Sequence, residues 1–143
     1  MTEPFHGAKI ALLVDNQIVT ILRDDTPTIP WPGHWDLPGG GREGAETPVE
    51  CALRELREEL GLILDPASVN WLRRYPSPPG YVWFLVAELP LFDASKVNFG
   101  NEGQEWRLVH LEWYLSHKKA ISDHKDRLRT YLRHRPDALA KGT

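Results

Sequence analysis

Apolar positions change period twice along the chain. "KIALLV" and "IVTILR" are short β-branched runs on either side of Asp15 and Asn16. Such runs flanking turn residues predict a β-hairpin. From Pro48 to Leu60, Val49, Ala52, Leu53, Leu56 and Leu60 recur at three- and four-residue spacing, which marks one face of a helix. Both ends of that helix carry signals. Thr47 suits the N-cap, Pro48 the first helical position and Gly61 the C-terminal stop, while Glu50 completes a capping box with Thr47. Further on, "VNWLRRY" and "YVWFLVAEL" predict two strands joined across "PSPPG". "EWRLVHLEW" predicts another strand, because Trp106, Leu108 and His110 alternate with Arg107, Val109 and Leu111. A last helix is predicted from Ser122 to Arg133, with Ser122 as its cap and Leu128, Tyr131 and Leu132 facing inward. Strands, helix, strands, helix in that order indicate a mixed α/β domain with helices packed on a sheet.

Between the hairpin and the first helix lies "DDTPTIPWPGHWDLPGGG". Its proline and glycine content predicts irregular backbone, and long loops inside compact domains are often functional. Composition narrows the picture modestly. The 143 residues suit one domain, 1–143, and 41% apolar with 26% charged residues is an ordinary globular mixture. Cys51 is the one cysteine, which excludes an intrachain disulfide and a Cys-rich zinc site. It lies beside the apolar stripe, so inert packing is expected. Cysteine usage fits a reducing, cytoplasmic setting. Neither a secretory leader nor a run of about 20 apolar residues is visible, so no membrane segment is expected. The net charge of −3 argues against extended nucleic-acid binding. The basic run "HKKAISDHKDRLRTYLRHR" is expected to be a solvated face, with His117 and His124 at the surface.

The helix raises a chemical question. At about 100° per residue, Glu55, Glu58 and Glu59 fall within one sector of about 100° beside the apolar stripe. Arg54 and Arg57 fall on the opposite flank and are expected to point mostly elsewhere. Like charges at these spacings repel by a few tenths of a kcal/mol per pair. Two explanations stand: a solvated acidic face, or hard oxygen ligands for a divalent cation. Gly39, Gly40, Gly41 and Gly44 lie directly upstream. A glycine-rich loop entering a helix lets backbone approach an anion such as phosphate. Metal and phosphate together suggest a diphosphate substrate.

These residues also form a known pattern. "GGREGAETPVECALRELREELGL", Gly40 to Leu62, resembles the Nudix box at every fixed position: glycine, Glu46 after five residues, then Arg54, Glu55, Leu56, Glu58, Glu59, Gly61 and Leu62. With its flanks, nearly the whole chain resembles the MutT-like branch of the Nudix hydrolases. The resemblance implies an α/β/α sandwich with a mixed sheet and the box as loop–helix–loop. It implies hydrolysis of a nucleoside diphosphate linked to another moiety, with Mg²⁺ or Mn²⁺. Glu55, Glu58, Glu59 and the carbonyl of Gly39 would be metal ligands, with Glu46 and Arg54 supporting them. "EGQEW" would place a further catalytic or metal-binding acid at Glu102, with Glu105 as runner-up; the general base would be Glu102 or Glu55. Arg23, Gly40 and Asp123 would contact the nucleotide. Among the tryptophans, Trp35 and Trp83 are the favoured candidates for stacking on a base. The expected partner is a small nucleotide, and the chain a monomer or homodimer. The leading substrate reading is a (d)NTP, oxidised forms included, cleaved to a monophosphate and pyrophosphate. The alternatives are ADP-ribose or a nucleotide sugar, and a non-catalytic binding module.

Overall fold

The structure, a computed structural model, describes residues 4–135. Strand β1 (Phe5–Val14) is its centre. Ile10 and Leu12 face one apolar cluster, while Ala11 and Leu13 face another. A strand buried on both faces must be covered on both. β1 turns at Asp15 and Asn16 into β2 (Gln17–Leu22), its antiparallel neighbour. Asp15 takes the left-handed conformation there, with φ of 53°, which Asp tolerates better than most residues. On its other side β1 pairs in parallel with β6 (Gly80–Glu88), which pairs antiparallel with β5 (Val69–Ser77). Parallel pairing needs a long crossover, and here that crossover contains α1 (Pro48–Leu60).

The proline- and glycine-rich segment is less irregular than its composition suggests. Two short strands, β3 (Trp35–Asp36) and β4 (Gly39–Gly41), pair with β2 and β1. Gly7 faces β4 so closely that a side chain there would press on the Gly40 carbonyl. The strand predicted across 105–113 is also shorter. β7 (Glu105–His110) pairs with β2, and α2 (Leu111–Ser116) takes over. Leu111, Tyr114 and Leu115 have helical spacing, and all three join the second core cluster.

Helix α1 has the predicted bounds. The Thr47 side chain accepts from the Glu50 N–H, the Glu50 carboxylate accepts from the Thr47 N–H, and Gly61 closes the helix with φ of 67°. Cys51, Ala52, Leu56 and Leu60 are buried against one face of the sheet. Each leucine contributes about 1.5–3 kcal/mol by burial. Burial pushes the Cys51 thiol up to about 11, so it is inert packing. Helix α3 (Ser122–Arg133) lies with α2 on the opposite face through Leu128, Tyr131 and partly buried Leu132. Ser122 is not its cap. Ile121 holds that position without a side-chain hydrogen bond. Among the described residues the result is an α/β/α sandwich around a mixed seven-stranded sheet.

Candidate active site

The loop-to-helix corner is built around glycine. Gly39 has φ of 137°, and a side chain there would strike the backbone of Ala8 and Lys9. Gly40 lies against Glu55, whose carboxylate fills the space a side chain would need. The Gly39 N–H donates to Glu59 Oε1 at 2.8 Å. Two glycines thus let β4 sit directly on the acidic edge of α1.

The three box carboxylates differ. Glu58 is about half exposed. Glu55 is mostly covered; burial raises its pKa, against the opposing charge and hydrogen bond of Arg54. Burial pushes Glu59 up to about 7, although the Gly39 N–H and the Lys9 charge pull the other way. Arg54 is not turned away from them. Its guanidinium reaches Glu55 at 3.1 Å and Glu58 at 3.0 Å, and it also binds Glu46 at 2.7 Å and the Gly41 carbonyl at 2.7 Å. Helical angle describes the Cβ direction, and a long arginine can curl across its own helix. The Arg54 hydrogen bond holds the Glu46 carboxyl below its ordinary range.

A second cluster, absent from the sequence reading, lies beside the first. Asp36 is buried. Its Oδ2 accepts from Lys9 at 3.0 Å and Arg23 at 3.0 Å, and its Oδ1 from the Leu37 N–H at 2.7 Å. His124 Nε2 is 2.8 Å from the same Oδ1. Burial alone would raise the Asp36 pKa, but Lys9 and His124 outweigh it and hold the carboxyl far below its usual range. His124 is therefore an interior residue rather than a surface one, and burial lowers its pKa against the pull of Asp36. Its signal was weak, a histidine two places after Ser122 in a basic run. Lys9 was more visible, as the single charge inside the apolar run "AKIALLV".

Two cavities share Arg23 and Asp36 in their walls. The first, about 270 Å³, is lined by Glu59, Glu102, Asp24 and Gly103 besides those two. The second, about 410 Å³, includes Lys9, Gly40, Trp83, Asp123 and Arg127. Predicted residues Glu59 and Glu102 thus share one wall system, and Gly40 and Asp123 the other, with Arg23 common to both. Glu105 lines neither cavity and pairs with Arg107 at 2.6 Å. Trp35 is buried in the core, with its carbonyl accepting from the Tyr114 hydroxyl, so it offers no face to a base. Trp83 is half-buried and lines the second cavity.

Glu55, Glu58, Glu59 and the Gly39 carbonyl are hard oxygen donors, and Glu59 is half-buried without an ion pair among the described residues. In kind they fit a divalent cation. In placement they are capped from within: Arg54 covers Glu55 and Glu58, and Lys9 donates to the Gly39 carbonyl at 3.2 Å. Among the described residues, no three His, Cys, Asp or Glu side chains converge closely enough to hold a metal as they stand.

The Nudix domain family matches residues 4–131. The chain belongs to the Nudix family. Similar proteins include an RNA pyrophosphohydrolase of Tolumonas auensis, 34% identical over 56% of this chain and 58% of that protein. An ADP-ribose pyrophosphatase of Methanocaldococcus jannaschii is 32% identical over 83% of this chain and 68% of that protein. The crystal structure of a MutT protein from Methanosarcina mazei Go1 shares the fold, with a TM-score of 0.71 and 21% identity over 94% of this chain and 97% of that one. The chain spans about half the length of several curated relatives it matches, 48–58% for four of them. Among the described residues, no helix is long and apolar enough to cross a membrane.

Proposed function

We propose that the chain is a divalent-metal-dependent hydrolase of a nucleoside diphosphate linked to another moiety. The leading substrate is a (d)NTP, oxidised forms included, cleaved to a monophosphate and pyrophosphate. The observation that carries this reading is the adjacency of two unlike cavities on either side of Arg23. One is acidic, with Glu59 and Glu102; the other offers Trp83 and Arg127 beside the Gly40 backbone. A diphosphate spanning the two has its charge beside Arg23 and its nucleoside beside an indole face.

Glu55, Glu58, Glu59 and the Gly39 carbonyl would hold Mg²⁺ or Mn²⁺. When bound, the ion supplies charge neutralisation on the diphosphate and activation of water. Arg54 keeps the box acids and Glu46 in one network. Arg23 is oriented by Asp36 and the Pro30 carbonyl, both within 3.0 Å. Glu102 is exposed on the acidic cavity and makes no hydrogen bond or ion pair among the described residues, so its carboxylate is free to accept a proton. Glu55 is tied to Arg54 and is the poorer base. Asp123 borders the second cavity and supplies an acceptor for a base edge.

ADP-ribose is the second reading, favoured by the M. jannaschii relative, whose similarity extends over most of this chain. Two cavities flanking Arg23 also suit a nucleoside and a second sugar. A non-catalytic module is disfavoured because every box acid is retained. The test is a Mg²⁺ reaction panel of NTPs, dNTPs, ADP-ribose and 5′-triphosphorylated RNA, resolved by product. Pyrophosphate release from an NTP or dNTP supports the leading reading, release from the RNA alone contradicts it, and two monophosphates from ADP-ribose support the second. Glu58→Gln removes an anionic ligand worth roughly 3 kcal/mol, a loss of about 100-fold in turnover. No hydrolysis across the panel, or full turnover by Glu58→Gln, contradicts the assignment.

A further inference from the structure

We propose that Lys9 is a resident counter-ion of the box, holding down its affinity for divalent metal and yielding the Gly39 carbonyl when metal binds. The inference rests on the metal reading above. Lys9 lies on β1 directly opposite Gly39 in the β1–β4 register. Its ammonium has three N–H donors, and three acceptors lie within reach: Asp36 Oδ2 at 3.0 Å, the Leu37 carbonyl at 3.3 Å and the Gly39 carbonyl at 3.2 Å. The same Gly39 donates its N–H to Glu59. One residue therefore joins the lysine to the carboxylate that most needs a positive neighbour.

A charge at this point acts in two ways. It offsets the half-buried Glu59 and Glu55 carboxylates when no metal is present. It also repels an incoming dication and occupies one of its oxygen ligands. Asp36 is not left unpaired when the ammonium moves, because Arg23, His124 and the Leu37 N–H remain on it. The lysine can therefore leave Gly39 without breaking the buried hub.

Lys9→Met keeps the length of the stem and removes the charge; Lys9→Arg keeps the charge. Calorimetric titration of the full chain with Mn²⁺, repeated with Mg²⁺, separates them. Lys9→Met should bind at least about tenfold more tightly than wild type, with Lys9→Arg close to wild type. Equal or weaker binding by Lys9→Met overturns the proposal while leaving the metal reading intact. Absence of binding in both wild type and Lys9→Met overturns both. If Lys9→Met does not fold, the wild type supplies the test. The ¹⁵N signal of the Lys9 ammonium, assigned with Lys9→Arg, should shift or lose its protection as Mg²⁺ saturates the protein. A saturated protein with an unchanged signal contradicts the proposal.

Discussion

Asp36 and Glu59 border the same cavity, and both carboxylates are largely removed from water, yet their surroundings drive them in opposite directions. Asp36 has two cationic side chains, a histidine and a backbone N–H on its two oxygens. Glu59 has one backbone N–H, from Gly39. The first is charged at any ordinary pH, and the second hovers near neutrality with a pKa pushed up to about 7. Burial is common to both, so the difference lies in the partners. A carboxylate whose charge is already balanced serves as a structural hub. One whose charge is only partly offset suits a cationic ligand, and without one it costs stability.

The largest effect should come from breaking the balanced site. Asp36→Ala leaves Lys9 and Arg23 without their buried anion and should lower stability by about 3–5 kcal/mol, read from urea unfolding. A loss under 1 kcal/mol would mean that the hub is not structural. The sign reverses at Glu59. Its folded pKa lies above the ordinary 4.5, so the folded state holds the extra proton. Its contribution is fully present below pH 4.5 and is lost as the pH rises to about 7. In metal-free protein at pH 8, Glu59→Gln should therefore gain up to about 3 kcal/mol, and the gain should vanish near pH 4. Asp36 and His124 work the other way. Asp36 has a lowered pKa and loses its contribution as pH falls below the ordinary carboxylate range. His124, buried and neutral, loses its own as pH falls through the ordinary histidine value of 6.5. The smallest effect tests the frame that carries Glu59. Thr47→Ala removes the cap of α1 and should cost about 1 kcal/mol, with little change in the pH dependence.

The part of this comparison on α1 was legible in the sequence. Thr47, Glu50 and Gly61 are local signals, and a helix's period puts Glu55, Glu58 and Glu59 on one edge without any knowledge of the fold. The hairpin at Asp15 and Asn16 was readable for the same reason. Asp36, Lys9 and His124 were not, because they come together from a loop, a central strand and the last helix, and only the sheet topology assembles them. Arg54 failed differently. Its backbone angle was right, but its side chain is long enough to cross to Glu55 and Glu58. Leu111–Ser116 misled because Leu111 fits a strand's alternation and a helix's period equally well.

The central claim is that the unbalanced edge of α1 is a divalent-cation site. It is tested most directly by thermal unfolding of wild type and Glu59→Gln at pH 8, each with EDTA and with saturating Mg²⁺. The account predicts that Glu59→Gln is the more stable protein in EDTA. Mg²⁺ should then stabilise wild type strongly and the variant little, closing or reversing the gap. Equal stabilisation of the two by Mg²⁺, or none of wild type, would contradict it.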